Sequence, residues 1–437
     1  MMPLLSPLIS SAKKKKILIL ASSGGGGLIQ AANAKEQQIR LEDPDALIVR
    51  RDVLRDWVGS FLGLLSIKMY NSAQKSGNVT VLKFFSIAIA LSDILFAPYV
   101  FFKALATLFK EDVDQIIDTQ PLCTSALIKA LRIFHWRRGR KICLEKVLVD
   151  FPTPKATHYF RSIRKLSRAD RPYLKLTTIL PFLKTGETAQ EFWKTHCKLP
   201  ETQVNYEPFY VRQSFSKYHK QPKSLHPLTI NASIKSEEEF ELIRQSVERG
   251  SIEVRGSSSE MELVIQPKDF VFTILLGSQP AYLGSLNYVR NFIELAREKK
   301  ARAHLFIFCG NHQTKRPSLL KSVSELVSQM PDYPRHFSVV PLSFQTDETI
   351  APLFHRSDIT CTRSGGQTLM ELICVAPKNI WIHSESKKTV FEREEELLEG
   401  IAGWEAANAL YMHRAYNARI VTPQSCVTHA RKVFLSQ

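Results

Sequence analysis

The chain has 437 residues, of which 44% are hydrophobic and 23% charged; these are globular proportions that exclude disorder, collagen and coiled coil, and the length points to two domains. Fifty-nine Lys and Arg against 42 Asp and Glu give a formal charge of +17. Residues 1–225 hold 35 of the basic and 18 of the acidic side chains and residues 226–437 hold 24 of each, which excludes a uniform solubility charge and fits a basic module joined to a neutral one.

Residues 1–16 read as a flexible tail, since the lysine run follows the short apolar stretch, the reverse of a secretory signal. Ile17 to Ala21 is an apolar run without alternation, the pattern of a parallel strand covered on both faces. Gly24, Gly25, Gly26 and Gly27 follow, and then an alanine-rich helix from Leu28, so the order is strand, glycine turn, helix. Ala46 to Arg50 is a second strand, and the stretch to about Val113 is helical with a turn near Gly77. Within it, Phe84 to Phe109 is interrupted by Asp93, Pro98 and Lys103, which predicts one or two helices lining a core or touching a bilayer surface rather than a span of about 20 residues.

Asp118 to Pro121 reads as a strand-end loop, and Ile142 to Val149 as a strand ending at Asp150. Pro200 to Pro227 is polar and proline-punctuated, as a linker would be, and Glu237 to Gly250 is an amphipathic helix. A second α/β unit opens with Phe270 to Leu276, continues through a helix from Leu286 to Lys300, and adds strands at His304 to Cys309, Phe337 to Val340, Ile359 to Thr362 and Asn379 to His383. The expected fold is therefore α/β, two Rossmann-like open parallel sheets facing a cleft. The expected division is a first domain over 17–215, a linker with an accessory helix over 216–268, a second domain over 269–425, and a C-terminal helix over 426–437 with a return to the first domain as one option.

Ligands of open α/β sheets bind beyond the carboxyl ends of the strands. The glycine run is neither GxGxxG nor a Walker loop. The stronger segment is Arg363-Ser364-Gly365-Gly366-Gln367-Thr368, where a strand enters a glycine turn and a helix begins. Backbone N–H groups and the helix dipole make such a turn an anion site, and Glu371, about one turn later, is placed to accept from ribose hydroxyls. Gly277-Ser278-Gln279 and Gly310-Asn311 are further strand-end turns, and the set forms a nucleotide crevice.

These features, together with Gly403-Trp404-Glu405-Ala406-Ala407-Asn408, resemble the donor half of the GT-B glycosyltransferases, in the group of the lipid II synthase that adds N-acetylglucosamine and the diacylglycerol glycosyltransferases. The N-terminal part is similar too, at Ser22 to Gly27, Asp118 to Leu122, Val149 to Pro154 with His158, and Pro208 to Phe215. The resemblance implies inverting, metal-independent transfer from a UDP-sugar to a hydroxyl acceptor, most simply a membrane lipid. Ser364 to Thr368 would hold the diphosphate, Glu371 the ribose, and Glu405 with Asn408 the sugar. Gly24 to Gly27 and Gln120 would face the acceptor.

Two departures stand out. The family's glycine loop commonly ends in histidine, and here that place is Leu28, which leaves Asp150, Asp118 and His158 as candidate bases; Asp150 could equally cap a turn, and His158 could be core or surface. Glu385 to Ala402 looks like an added helix or lid.

No DxD-type carboxylate pair is clustered and the seven cysteines never form CxxC, so neither a structural metal nor a disulfide framework is expected. UDP-sugar enters as donor substrate, with no tightly bound cofactor. Arg137, Arg138, Arg140 and Lys141, interleaved with aromatics, form an expected membrane patch, which suggests a cytoplasmic protein peripheral on the inner face of the membrane. Two other readings stand beside this one: an inactive GT-B-like binding module, and a basic nucleic-acid-binding protein. The last lacks any helix-turn-helix, RRM-like or zinc pattern, and no nucleic acid is expected as partner. The sequence carries no signal of oligomeric state.

Overall fold

Apolar runs without alternation need cover on both faces, and the computed structural model, which describes residues 14–23, 26–59, 62–207, 210–257, 260–310 and 318–436, supplies it. The first sheet is formed by β1 (Lys16–Ala21), β2 (Leu47–Asp52), β3 (Gln115–Asp118), β4 (Leu144–Val147), β5 (Leu174–Thr178) and β6 (Val204–Tyr206). Its strands are all parallel, in the order β2-β1-β3-β4-β5-β6.

The segment 216–268 holds the expected helix, Glu237–Val247, and also an antiparallel sheet of β7 (Leu228–Ser233), β8 (Glu253–Ser257) and β9 (Glu260–Ile265). Alternate residues of that sheet, among them Ile230, Met261 and Leu263, join the core of the second domain, so this segment folds as part of that domain. The strand β6 lies inside the stretch read as linker and pairs with β5.

The second sheet comprises β10 (Phe270–Leu275), β11 (Ala303–Phe308), β12 (Phe337–Leu342), β13 (Ile359–Thr362), β14 (Ile380–His383) and β15 (Arg419–Val421). It is parallel throughout, in the order β12-β11-β10-β13-β14-β15. In each sheet the strand order reverses beside the first strand, at β1/β3 and at β10/β13, the places where open sheets leave a crevice. The two-sheet arrangement expected from the sequence is thus present.

Two helices, Leu62–Lys75 and Val79–Glu111, form a hairpin between β2 and β3. Asn78 caps the second by accepting from the Val81 N–H, and Pro98 sits within it, where it removes one backbone donor. Phe96, Val100, Ala104 and Leu108 recur every four residues and bury one face against the first domain. The opposite face leaves Leu91, Ile94, Leu95, Tyr99 and Phe102 exposed. The stretch Leu91–Glu111 is long and apolar enough to cross a membrane by composition.

The tip of the hairpin reaches the other domain. Lys83 Nζ donates to the Glu399 carbonyl at 3.0 Å, and Leu82 and Ala73 pack on Ala402. The expected lid, 385–402, is mostly loop with one short 3-10 turn at Glu394–Gly400, and it forms the seat for this tip. The C-terminal helix Pro423–Leu435 lies on the second domain, with Phe434 against Phe270 and Phe272 and Arg431 paired to Glu298.

Candidate active site

The carboxyl ends of the two sheets face each other across a cavity of about 450 Å³. Strand order lays out its wall on the second domain. Ser343 and Phe344 follow β12, Gly310 follows β11, Gly277 and Ser278 follow β10, and Arg363 to Thr368 follow β13, all but Ser364 lining the cavity. Facing them from the first domain are Gly26, Gly27 and Leu28 after β1, and Val149 and Asp150 after β4. Gly24 and Gly25 lie outside the described residues, as does Asn311.

The two walls meet at Gly366. A Cβ there would stand 2.0 Å from the Val149 carbonyl oxygen, so only glycine permits this approach. Beside it, Asn408 on the helix Gly403–Tyr416 makes three bonds. Its Nδ2 donates to Asp150 Oδ1 at 2.7 Å and to the Ser364 carbonyl at 2.9 Å, and its Oδ1 accepts from the Phe151 N–H at 2.9 Å. The amide is fully committed and buried, so it holds the two walls together and does not line the cavity.

Asp150 Oδ2 lies 2.9 Å from His158 Nε2. The Asp150–His158 pair is mostly buried but borders the cavity, and the imidazole packs against the Trp404 ring at 5.6 Å between centroids. A carboxylate that accepts from Nε2–H fixes the tautomer in which Nδ1 is the basic nitrogen. The two residues singled out separately as bases are therefore one unit.

Asp118, the third candidate, is placed differently. It is fully buried and bonds Lys146 Nζ at 2.6 Å, away from the cavity. Burial pushes its carboxyl up and the ammonium of Lys146 opposes this. Gln120 is also sealed in: its Nε2 donates to the Leu122 carbonyl and its Oε1 accepts from Ser22 Oγ. Neither reaches an incoming group. Gln279 likewise does not line the cavity.

The turn after β13 leads into the helix Gly366–Val375, whose first N–H groups have no partner within the helix. Ser364 Oγ and Gln367 Oε1 are buried without a hydrogen-bond partner, and so is Ser343 Oγ at the other end of the wall. Of these, Ser343 and Gln367 line the cavity, where a polar ligand would meet them. Phe308, Phe344, Ile350 and Phe354 give that far end an apolar lining suited to a flat base.

Glu371 lines the cavity but is engaged. Arg212 Nε and Nη2 reach its two oxygens at 2.8 and 3.0 Å, and Gln367 Nε2 donates at 3.3 Å. A ribose at this point would meet a neutralised carboxylate and share it with Arg212. Glu405 pairs with Arg363 at 3.0 Å, and the ring of Tyr70 from the hairpin sits near both. Burial, then the neighbouring Glu405, pushes the Tyr70 phenol well up, so it stays protonated.

Nothing in the sequence pointed to Tyr70, Ser343 or Phe344, and Arg212 lay inside the Pro208 to Phe215 segment without a role. Trp404 lay inside the recognised motif without a role. The expected membrane patch divides: Arg140 is tied to Asp112 and Asp114 at 2.7 and 2.8 Å, Lys141 lies over Tyr173, and Arg138 over Phe109. Arg137 stacks on the exposed Trp136. Among the described residues no group of three His, Cys, Asp or Glu side chains is placed to hold a metal ion.

No family model and no curated protein matches the chain. Among solved structures, MurG of Acinetobacter baumannii is similar over 97% of this chain and 92% of its own, at 13% identity and a TM-score of 0.41. UDP-GlcNAc 2-epimerase of Neisseria meningitidis, bound to UDP-GlcNAc, is similar over 97% and 100%, at 12% identity and a TM-score of 0.43. The glycosyltransferase SsfS6 of Streptomyces sp. SF2575 is similar over 96% and 90%, at 9% identity and a TM-score of 0.44. Likeness this distant carries nothing about activity, and the fold stands on the strand order itself.

Proposed function

We propose that the protein is a glycosyltransferase that moves a sugar, with inversion, from a UDP-sugar to the hydroxyl of a membrane-borne acceptor. The observation that carries this reading is the Asp150–His158 pair held by Asn408 against the Ser364 turn, which sets a base beside an anion site.

In this reading the base end of the nucleotide lies on Phe308, Phe344 and Ile350, its ribose shares Glu371 with Arg212, and its diphosphate meets the N–H groups of Gly365 to Thr368. The sugar then falls among Arg363, Glu405, Trp404 and Tyr70. His158 Nδ1 takes the proton of the acceptor hydroxyl as its oxygen forms a bond to the anomeric carbon. The bond from that carbon to the diphosphate oxygen breaks, and the turn stabilises the charge that develops there. Asp150 stabilises the imidazolium that results.

The acceptor arrives from the hairpin. Phe84, Met69, Ile67 and Phe96 line the cavity, and Phe84 and Met69 are also exposed on the hairpin that carries the apolar flank from Leu91 to Phe102. Docking that flank on a bilayer keeps Asp93 on the protein side, where its carboxylate accepts from the Cys123 N–H, and avoids the roughly 2.5–3.5 kcal/mol of placing an Asp at a membrane centre.

The test combines a panel of UDP-sugars with a mixed lipid extract, read by mass spectrometry. Transfer is expected with the natural protein. His158→Ala and Asp150→Asn should each lower turnover by about 10²–10⁴-fold while UDP binding persists. UDP binding without transfer to any acceptor would make the chain a binding module, and undiminished turnover in both variants would remove the base assignment.

A further inference from the structure

A second cavity, of about 790 Å³, opens on the first domain and shares Pro121, Leu122 and His158 with the first. Its walls carry five permanent cations from three elements. Arg161 and Arg164 lie on the helix Thr157–Arg164 with Lys165 as its cap, Arg171 opens the turn ahead of β5, and Lys198 caps the helix Ala189–Cys197.

None of the five has a carboxylate within ion-pair distance among the described residues, and Glu187, whose charge reaches His196, accepts from the Lys184 N–H. Asp170 is taken by Arg132 at 2.7 Å and by Ser167, Glu201 accepts from the Tyr206 hydroxyl, and Asp93, the one acid in the lining, accepts from a backbone N–H. Arg171 Nε is buried with no partner. Arg161, Arg164 and Lys165 lie three and four residues apart, where like charges repel. The carbonyl ends of two helices, at Lys165 and at Lys198, accommodate some of this charge, but Arg171 comes from neither. His196 completes the wall, and burial holds its imidazole below the usual range, so it adds no sixth charge near neutrality. Five cations thus border one cavity without a carboxylate to neutralise any of them.

Helix geometry relates this anion to the base. His158, Arg161 and Lys165 share one face, and at 1.5 Å per residue the cations begin about 4.5 Å and end about 10 Å along the axis from His158. Arginine forks match phosphate oxygens in bidentate fashion.

We infer that this second cavity holds a phosphate-bearing group of the acceptor, whose hydroxyl is thereby presented to His158. The inference rests on the transferase reading for the word acceptor, and on the cavity alone for the phosphate. A lipid phosphate and a soluble phosphate ester share this chemistry.

The test is calorimetric titration of the full chain with three soluble probes: dihexanoyl phosphatidic acid, dihexanoylglycerol and inorganic phosphate. Phosphatidic acid should bind and dihexanoylglycerol should not. Arg161→Ala with Arg164→Ala and Lys165→Ala, all at exposed positions, should weaken the phosphate probes about tenfold or more and leave UDP affinity unchanged. Inorganic phosphate as strong as phosphatidic acid assigns the cavity to a soluble ester, and a clear preference for phosphatidic acid assigns it to a lipid. Equal binding by wild type and triple variant, or no binding of either phosphate probe, overturns the site. In histidine-labelled protein, saturation should shift the His158 imidazole signal, and a silent His158 overturns its presentation to the base. Because no readout requires turnover, an absence of glycosyl transfer would leave the phosphate result standing.

Discussion

A methyl group at position 366 would lie 2.0 Å from the Val149 carbonyl oxygen and 2.8 Å from Asp150 Cα, against backbone that cannot swing aside. Gly366→Ala should therefore part the two walls by an ångström or so without unfolding either sheet. Misplacement of about 1 Å costs roughly 100-fold in rate. Turnover is expected to fall by that order while the circular dichroism spectrum stays native, and unchanged turnover would show that the seam is not the working geometry. At this scale the sequence was legible where chemistry is local: strand-end Asp150, the turn from Ser364 and the glycines could be picked out from residue type and position. What was hidden is pairing. Nothing in the order of residues says that Asp118 is spent on Lys146, that Glu371 is met by Arg212 from 159 residues away, or that Asn408 faces inward to Asp150 rather than to a sugar.

The hairpin of Leu62–Lys75 and Val79–Glu111 turns at Gly77, whose φ of +64° suits glycine and whose absent side chain leaves room for the Glu385 carboxylate, 2.9 Å from where a Cβ would stand. Glu385 is held ionised, burial notwithstanding, by His383 at 3.0 Å and then by Arg363. A larger residue lifts the tip off the second domain and admits water beside Tyr70. Gly77→Val is thus expected to raise the ratio of UDP-sugar hydrolysis to transfer several-fold in a coupled assay of both products; an unaltered ratio would mean that the hairpin does not shield the sugar. Element by element, the long apolar strands β1, β10 and β11 were readable because both faces are covered, and no bound moved by more than one residue. The strand β6 was not, being three residues of Val-Asn-Tyr between prolines. β7 and β9 carried a period-two pattern, with Ile230 and Ala232 and then Met261 and Leu263 buried in turn, that the surrounding polar residues masked, and β8 is exposed throughout.

Across the whole molecule the charge and the apolar surface sort into separate places. The exposed row Leu91, Ile94, Leu95, Tyr99 and Phe102 runs along the first domain, with the exposed Trp136 and Arg137 on a neighbouring helix. Part of the basic excess surrounds the second cavity instead. Ile94→Asp with Leu95→Asp should abolish most sedimentation with anionic vesicles while UDP binding is retained. Arg140→Ala should chiefly lower the melting temperature, since Arg140 joins Asp112, Asp114 and the Val113 carbonyl. Loss of vesicle binding by Arg140→Ala alone, with full stability, would return the docking surface to the end of that helix.

Asn408 has one more consequence. Its amide belongs to one half of the protein, whereas the Asp150 carboxylate it orients belongs with His158 to the other, so the proposed base pair stays whole but loses its anchor whenever the halves separate. In the proposed transferase, closure would then aim the base: a donor caught before the halves meet would face a carboxylate free to turn, and the transfer geometry would be complete only once both walls touch.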